Sequence, residues 1–246
     1  MKGLLLRVAA DTTSGGGRWN GPVDQASGDF VYIPIPQDVG RFKPEHRPVV
    51  YDDYIPALKR FSARHGVCVG LPSHLLGVGC HLDPNFDELT YGDQGVGRGN
   101  RIRDLERGDF IAFFGSFKPL TKGRLVYGLI GIMFVDRVVR VSDATPEELA
   151  RNAHGTRHAV PTDLIVFADP IRSGRLQRCI DIGEWRRRAY RVRQEVLDAW
   201  GGPRGIGVND GWIQRSVTPP WFDDPERFLG WFQQQNPELI TANNPE

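Results

Sequence analysis

Two apolar runs, Asp109–Phe117 and Leu125–Val135, flank a turn at Lys118–Gly123, and they limit the fold more than any other feature of the chain. Both are rich in β-branched and aromatic residues, so the segment predicts a pair of sequential strands, with Val138–Val141 adding a third. A near-continuous apolar run at Gly3–Ala9 predicts a buried strand that ends in the glycine loop Gly15-Gly16-Gly17. Further strands are expected at Phe30–Ile35, Asp163–Ala168 and Gln177–Ile182. Helical spacing marks Asp53–Arg64, a short turn at Glu147–Asn152 after Thr145-Pro146, and a segment starting near Asp224-Pro225-Glu226. The best-patterned helix is Trp185–Trp200, where Trp185, Ala189, Val192 and Val196 recur at four, three and four residues before Gly201-Gly202. Residues 71–100 form a long stretch of turn formers, which inside a compact domain is more often functional than idle. The class is α+β, and with no repeat and no convincing linker, residues 1–246 are expected to be one domain.

Composition narrows the setting. The three leucines near the N-terminus are broken by Arg7 and are too few for a signal sequence, and no later run reaches membrane-spanning length. Cys68, Cys80 and Cys179 show no CxxC spacing, so reduced thiols and a cytoplasmic setting are expected. The net charge of +1 excludes a general polyanion binder, although the basic residues are 26 Arg against 5 Lys. Arginine presents a planar fork suited to phosphates and base edges; a GC-driven preference is the bland alternative. Ten Arg face six acids between residues 151 and 200, whereas residues 221–246 hold one Arg and five acids. That asymmetry suits an oriented approach to a polyanion.

Standard signatures are missing. There is no phosphate-cradling G-x-x-x-x-G-K-[ST], and Gly95-Val96-Gly97-Arg98-Gly99 does not sit between a strand and a helix. His65, His74 and His81 with Cys68 and Cys80 can be drawn as a zinc site, but the spacing fits no zinc pattern. No metal and no cofactor are therefore expected. Four segments remain as site candidates. A strand delivers Asp11 beside glycines, followed by Trp19 and Asn20, a stacking face and an amide able to read a base edge. The alternative is an Asx turn with Trp19 in the core. His81, Asp83, Tyr91 and Asp93 crowd a loop with little apolar content, which is either a site or solvated. His154, and then Arg172 and Ser173 after a buried strand, suit phosphate as well as an ordinary turn. Gln214 and Arg215 can contact base or phosphate or close a turn. Finally, Arg186, Arg187, Arg188 and Arg191 stud the outer face of the expected helix, a DNA-backbone footprint or simply its solvated side.

In order along the chain, L-L-L-R-V-A-A-D-T, F-V-Y-I-P-I-P, H-L-D-P-x-F, T-Y-G-D, G-D-F-I-A-F-F, N-A-H, D-L-I-V-F-A-D-P-I-R-S and W-I-Q-R-S resemble the third class of nucleotide-modification-associated domains. The resemblance implies DNA as partner and an anti-phage glycosylase activity that removes glucosylated hydroxymethylcytosine and leaves an abasic site. The G-D-F-I and L-I-G-I strands also resemble small modified-base readers of the PUA and EVE type, implying a partly open β-barrel with flanking helices. Chemistry then assigns the roles. An oxocarbenium-like sugar needs a carboxylate, first Asp11 and second Asp93, while the extruded base needs a pocket from Tyr91, Trp19 and Asn20. His81, Asp83 and His154 join the substrate contacts, and Arg172, Ser173, Gln214 and Arg215 hold the backbone or the bulky modification. The few lysines favour hydrolysis by water over an imine-forming lyase. Two rival expectations stand beside this: a non-catalytic reader that recruits a nuclease, and an enzyme that modifies nucleotides.

Overall fold

The computed structural model describes residues 1–214 and 218–246. In chain order the strands and helices begin with β1 (Gly3–Arg7), β2 (Pro22–Val23), β3 (Ile35–Pro36), α1 (Ile55–His65), β4 (Cys80–His81) and β5 (Thr90–Asp93). Next come α2 (Asn100–Arg103), β6 (Phe110–Pro119), β7 (Val126–Arg140), α3 (Pro146–Ala150), α4 (Ala153–Thr156) and β8 (Leu164–Ala168). The chain closes with β9 (Gly174–Asp181), β10 (Gly183–Arg186), β11 (Ala189–Val192), α5 (Gln194–Ala199), α6 (Pro225–Gln234) and β12 (Leu239–Ile240).

The two apolar runs pair as expected. β6 and β7 are antiparallel from Phe110↔Phe134 to Phe117↔Val126, with a register shift at Phe113/Phe114. The expected third strand at Val138–Val141 is largely the far end of β7, whose 15 residues serve two neighbours on one edge. Its first half holds β9 (Gly128↔Asp181) and its second half β8 (Val139↔Ile165), with β5 outside β8 (Asp93↔Leu164). On the far side β1 lies parallel to β6. Both faces are covered, which is why these strands read as unbroken apolar sequence. Leu5, Phe110 and Phe114 pack on one face with Trp200 of the α5 C-cap and Phe228 and Phe232 of α6. Leu4, Leu6, Ile111 and Phe113 pack on the other with Phe30, Tyr32 and Phe86. Beyond them α1 adds Leu58 and Phe61 over Val31 and Ile33.

Three expectations need correction. The sheet is mixed, but among the described residues it is open and does not close into a barrel: its path runs β1-β6-β7-β8-β5. The outer edge of β1 is taken by residues 220–222, since Leu5 N donates to Pro220 O and Phe222 N to Gly3 O. Phe30–Ile35 is not a full strand: residues 30–34 are buried outside any strand, and exposed Ile35 opens β3. The side chain of Asn244 takes the place of a neighbour, accepting from Tyr32 N and donating to Tyr32 O, both at 2.8 Å.

The third correction concerns Trp185–Trp200, which is not one helix. β10 and β11 form a hairpin with Trp185↔Tyr190 and Arg186↔Ala189, turning through Arg187 and Arg188 at φ 51° and 61°. Two residues with positive φ match the twist of a two-residue hairpin loop. Each costs roughly 1 kcal/mol or more in a residue with a Cβ, and tertiary contacts offset this. Tyr190 stacks on Tyr127 at 4.2 Å and meets Trp185 at 5.0 Å. Only the last part of the pattern, Gln194–Ala199, is helical, burying Val196 and Leu197. No helix among the described residues is long and apolar enough to cross a membrane.

Candidate active site

A cleft of about 770 Å³ opens beside the C-terminal end of β1, within the roughly 300–1,000 Å³ common for small-molecule sites. β1 carries Arg7 into its wall, and the following loop brings Asp11. Asp11 Oδ1 accepts from Thr13 N at 2.7 Å and Thr13 Oγ1 at 2.5 Å, and Oδ2 pairs with Arg7 Nη2 at 2.9 Å. The Asx turn and the cleft position therefore coexist in one residue.

Opposite, the short β3–β4 ladder pairs Ile35 with His81 and so sets Gln37 beside the imidazole. His81 Nδ1 donates to Gln37 Oε1 at 2.6 Å. β5 supplies Tyr91 and Asp93, both buried, with Tyr91 Oη donating to Asp93 Oδ2 at 3.2 Å. Asp83 Oδ1 accepts from Gly92 N and from Asn152 Nδ2, each at 2.9 Å. Asn152 also caps α4, its Oδ1 accepting from His154 N at 2.8 Å, which directs the His154 ring into the cleft wall 4.8 Å from the His81 ring. Behind His154, Arg157 donates to both oxygens of Asp163 at 3.0 and 3.1 Å.

Burial holds the His81 imidazole below its ordinary pKa and outweighs the neighbouring Asp83 carboxylate, which acts the other way. At Asp163 burial pushes upward, yet hydrogen bonds from His154 and Val160 N together with Arg157 leave the carboxyl lower than usual.

Gly92 permits this packing. A Cβ there would run into the His154 ring and the Asn152 amide. Gly92→Ala is expected to destabilise the protein by about 1–3 kcal/mol, as overpacking does, and to displace His154. Denaturant unfolding measures the first effect, and the His154 ring resonances report the second.

Of the residues expected from sequence, Asp11, His81, Asp83, Tyr91, Asp93 and His154 all line this cleft. The others do not. Trp19 packs against the α1 cluster, and Asn20 is buried, donating Nδ2 to Ser116 O and Oγ at 2.7 and 2.8 Å, so it is not presented to a base. Arg172 stacks on Phe134 at 3.8 Å, and Ser173 Oγ accepts from Phe134 N at 2.9 Å. Gln214 accepts from Tyr190 N at 2.9 Å through Oε1 and from Arg7 through its carbonyl. Arg215 lies outside the described residues.

The expected arginine face is also altered, because its helix is a hairpin. Arg186, Arg187 and Arg191 converge on Asp210, the last two at 3.2 and 3.4 Å, while Arg188 is exposed in the turn. Sequence reasoning missed Arg7, Gln37, Arg157 and Asp163. Arg7 had a signal, as the one charge interrupting an apolar strand; Gln37 and Arg157 lie in segments without periodicity.

An α+β domain with an open mixed sheet thus gathers acid, imidazole and guanidinium groups in one concavity of the size common for small-molecule sites. The family model for nucleotide modification associated domain 3 matches residues 2–195, and the chain belongs to that family. The match takes in every residue lining the cleft except Pro219. Membership connects the protein with the processing of modified nucleotides and is compatible with nucleic-acid interaction. No curated protein and no solved structure matches the chain.

Proposed function

We propose that the cleft hydrolyses the N-glycosidic bond of a glucosylated hydroxymethylcytosine in phage DNA, releasing the base and leaving an abasic site as part of anti-phage defence. The observation that carries this reading is the convergence of Asp11, Asp83, Asp93, Tyr91 and His81 from separate segments on one cleft of about 770 Å³. Glycosidic cleavage puts positive charge on the sugar and negative charge on the departing base, so it needs a carboxylate on one side and donors on the other. Asp11, ion-paired with Arg7, offers the sugar a fixed negative charge at the mouth of β1. Gln37 offers the base a donor: its buried Nε2 has no hydrogen-bond partner among the described residues, and the residue lines the cleft. Tyr91 rests on Phe113 at 5.4 Å, which fixes its ring as part of the wall.

The test incubates the protein with glucosylated phage DNA and with unmodified DNA, then cleaves abasic sites with alkali. Strand breaks confined to modified DNA support the reading; tight binding without breaks supports a reader that recruits a nuclease. A second reading rests on the hairpin arginines. With Arg186, Arg187 and Arg191 drawn to Asp210, backbone contact is reduced, which favours a nucleotide-modifying enzyme acting on small substrates. Addition or removal of the modification on the free nucleotide, with no base released from DNA, would select it.

A further inference from the structure

We propose that His81, Asp83 and His154 bind a single first-row divalent metal ion, with zinc as the probe. Their ligand atoms lie within 4.8 Å of one another; tetrahedral bonds of about 2.1 Å set ligand atoms roughly 3.4 Å apart, a spacing that the two imidazole–Asp83 pairs, at 3.1 and 3.6 Å, already approach. Two imidazoles and one carboxylate form a donor set that first-row divalent ions accept, leaving positions open toward the cleft.

The hydrogen bonds around the three residues select the atoms that face inward. His81 gives its Nδ1 proton to Gln37 Oε1 at 2.6 Å, which leaves the Nε2 lone pair aimed at the cluster. That nitrogen stands 3.1 Å from Asp83 Oδ2. Two lone-pair atoms therefore face each other where only 3 % of the Asp83 side chain is exposed. Among the described residues Asp83 Oδ2 has no hydrogen-bond donor, although Oδ1 accepts from both Gly92 N and Asn152 Nδ2. An unsatisfied buried carboxylate oxygen is costly, and a cation between the two acceptors removes the conflict.

His154 Nε2 lies 3.6 Å from the same oxygen. Its Nδ1 has Asp163 Oδ1 at 3.1 Å and Arg157 Nη2 at 2.8 Å. Metal binding at Nε2 requires Nδ1–H to donate to Asp163, with the Arg157 Nη2 hydrogens directed at the Asp163 oxygens that both lie in range. Gln37 and Asp163 then stand behind the imidazoles as orienting groups stand behind histidine metal ligands. A metal held here would polarise a substrate oxygen or supply an activated water. The proposal does not depend on base excision, because metal is measured without substrate.

The protein is stripped with a chelator, dialysed and titrated with Zn²⁺ while its melting temperature is followed, and with Co²⁺ while its visible ligand-field bands are followed. Saturable binding of one ion per chain with a rise in melting temperature is expected. Asp83→Asn and His81→Ala should abolish it. Gln37→Ala and Asp163→Asn should weaken it by about 10–100-fold, the usual effect of losing an orienting partner. His81 is only half-buried, so its variant decides the matter should Asp83→Asn fail to fold. Absence of saturable binding by folded wild-type protein, or binding unchanged in His81→Ala, overturns the proposal.

Discussion

Asp11→Asn is expected to lower base release from glucosylated DNA by about 10²–10⁴-fold, the range over which a positioned acid–base group contributes. DNA binding should change little. The substitution is conservative in structure. Asn keeps an Oδ1 able to accept from Thr13 N and Oγ1, as Asp11 does at 2.7 and 2.5 Å, so the Asx turn survives. What disappears is the negative charge beside Arg7, since the new amide turns a donor toward the guanidinium that Asp11 meets at 2.9 Å. A loss of turnover with an unchanged melting temperature and binding curve separates a chemical role from a structural one. Asp93→Asn is the comparison. Asp93 Oδ2 accepts from Tyr91 Oη and Oδ1 accepts from Gly95 N, so it is woven into β5 and its loop. Its replacement should affect stability as well as turnover. Unchanged activity in Asp11→Asn would remove that residue from the reaction and pass the carboxylate role to Asp93.

The elements legible in the sequence were those whose pattern had one reading. Gly3–Arg7 and the β6–β7 pair are buried on both faces, and no amphipathic helix mimics such runs. The segment 185–200 had two readings. Apolar spacing of four and three also fits a hairpin when a tyrosine in the gap, Tyr190, finds Tyr127 to stack on. Nothing local announces Tyr127 or Asp210, so the tertiary contacts that decide the outcome were invisible. The site divides in the same way. His81, Asp83, Tyr91 and Asp93 stood out as polar groups crowding a loop with little apolar content, Asp11 by its place at a strand end beside glycines and His154 as a polar group suited to phosphate, and the fold brings them together. Asn20 and Ser173 looked equally free, yet each satisfies a buried partner: Asn20 donates to Ser116, and Ser173 accepts from Phe134 N. A polar side chain at a strand end does not reveal whether its partner is a ligand or its own backbone.

The largest loss of stability is expected from a residue that had no sequence signal. Arg157→Met should destabilise the fold by about 3–5 kcal/mol, the effect of removing one partner from a buried ion pair. For a chain of this size that lowers the melting temperature by roughly 6–20 °C. Arg157 is 6 % exposed and Asp163 fully buried. Without the guanidinium, the Asp163 carboxylate keeps, among the described residues, Val160 N at 3.0 Å and His154 Nδ1 at 3.1 Å against the loss of hydration. Methionine fills most of the vacated length, which confines the effect to charge rather than cavity. The double variant Arg157→Met, Asp163→Asn isolates the cause. Removing the stranded charge should restore more than half of the lost stability, because a neutral amide is far cheaper to bury than an unpaired carboxylate. Thermal and urea unfolding of the single and double variants make the measurement. A single variant within 1 kcal/mol of wild type, roughly the worth of an exposed pair, would show that Asp163 is satisfied without Arg157. A double variant no better than the single would place the loss in packing around His154.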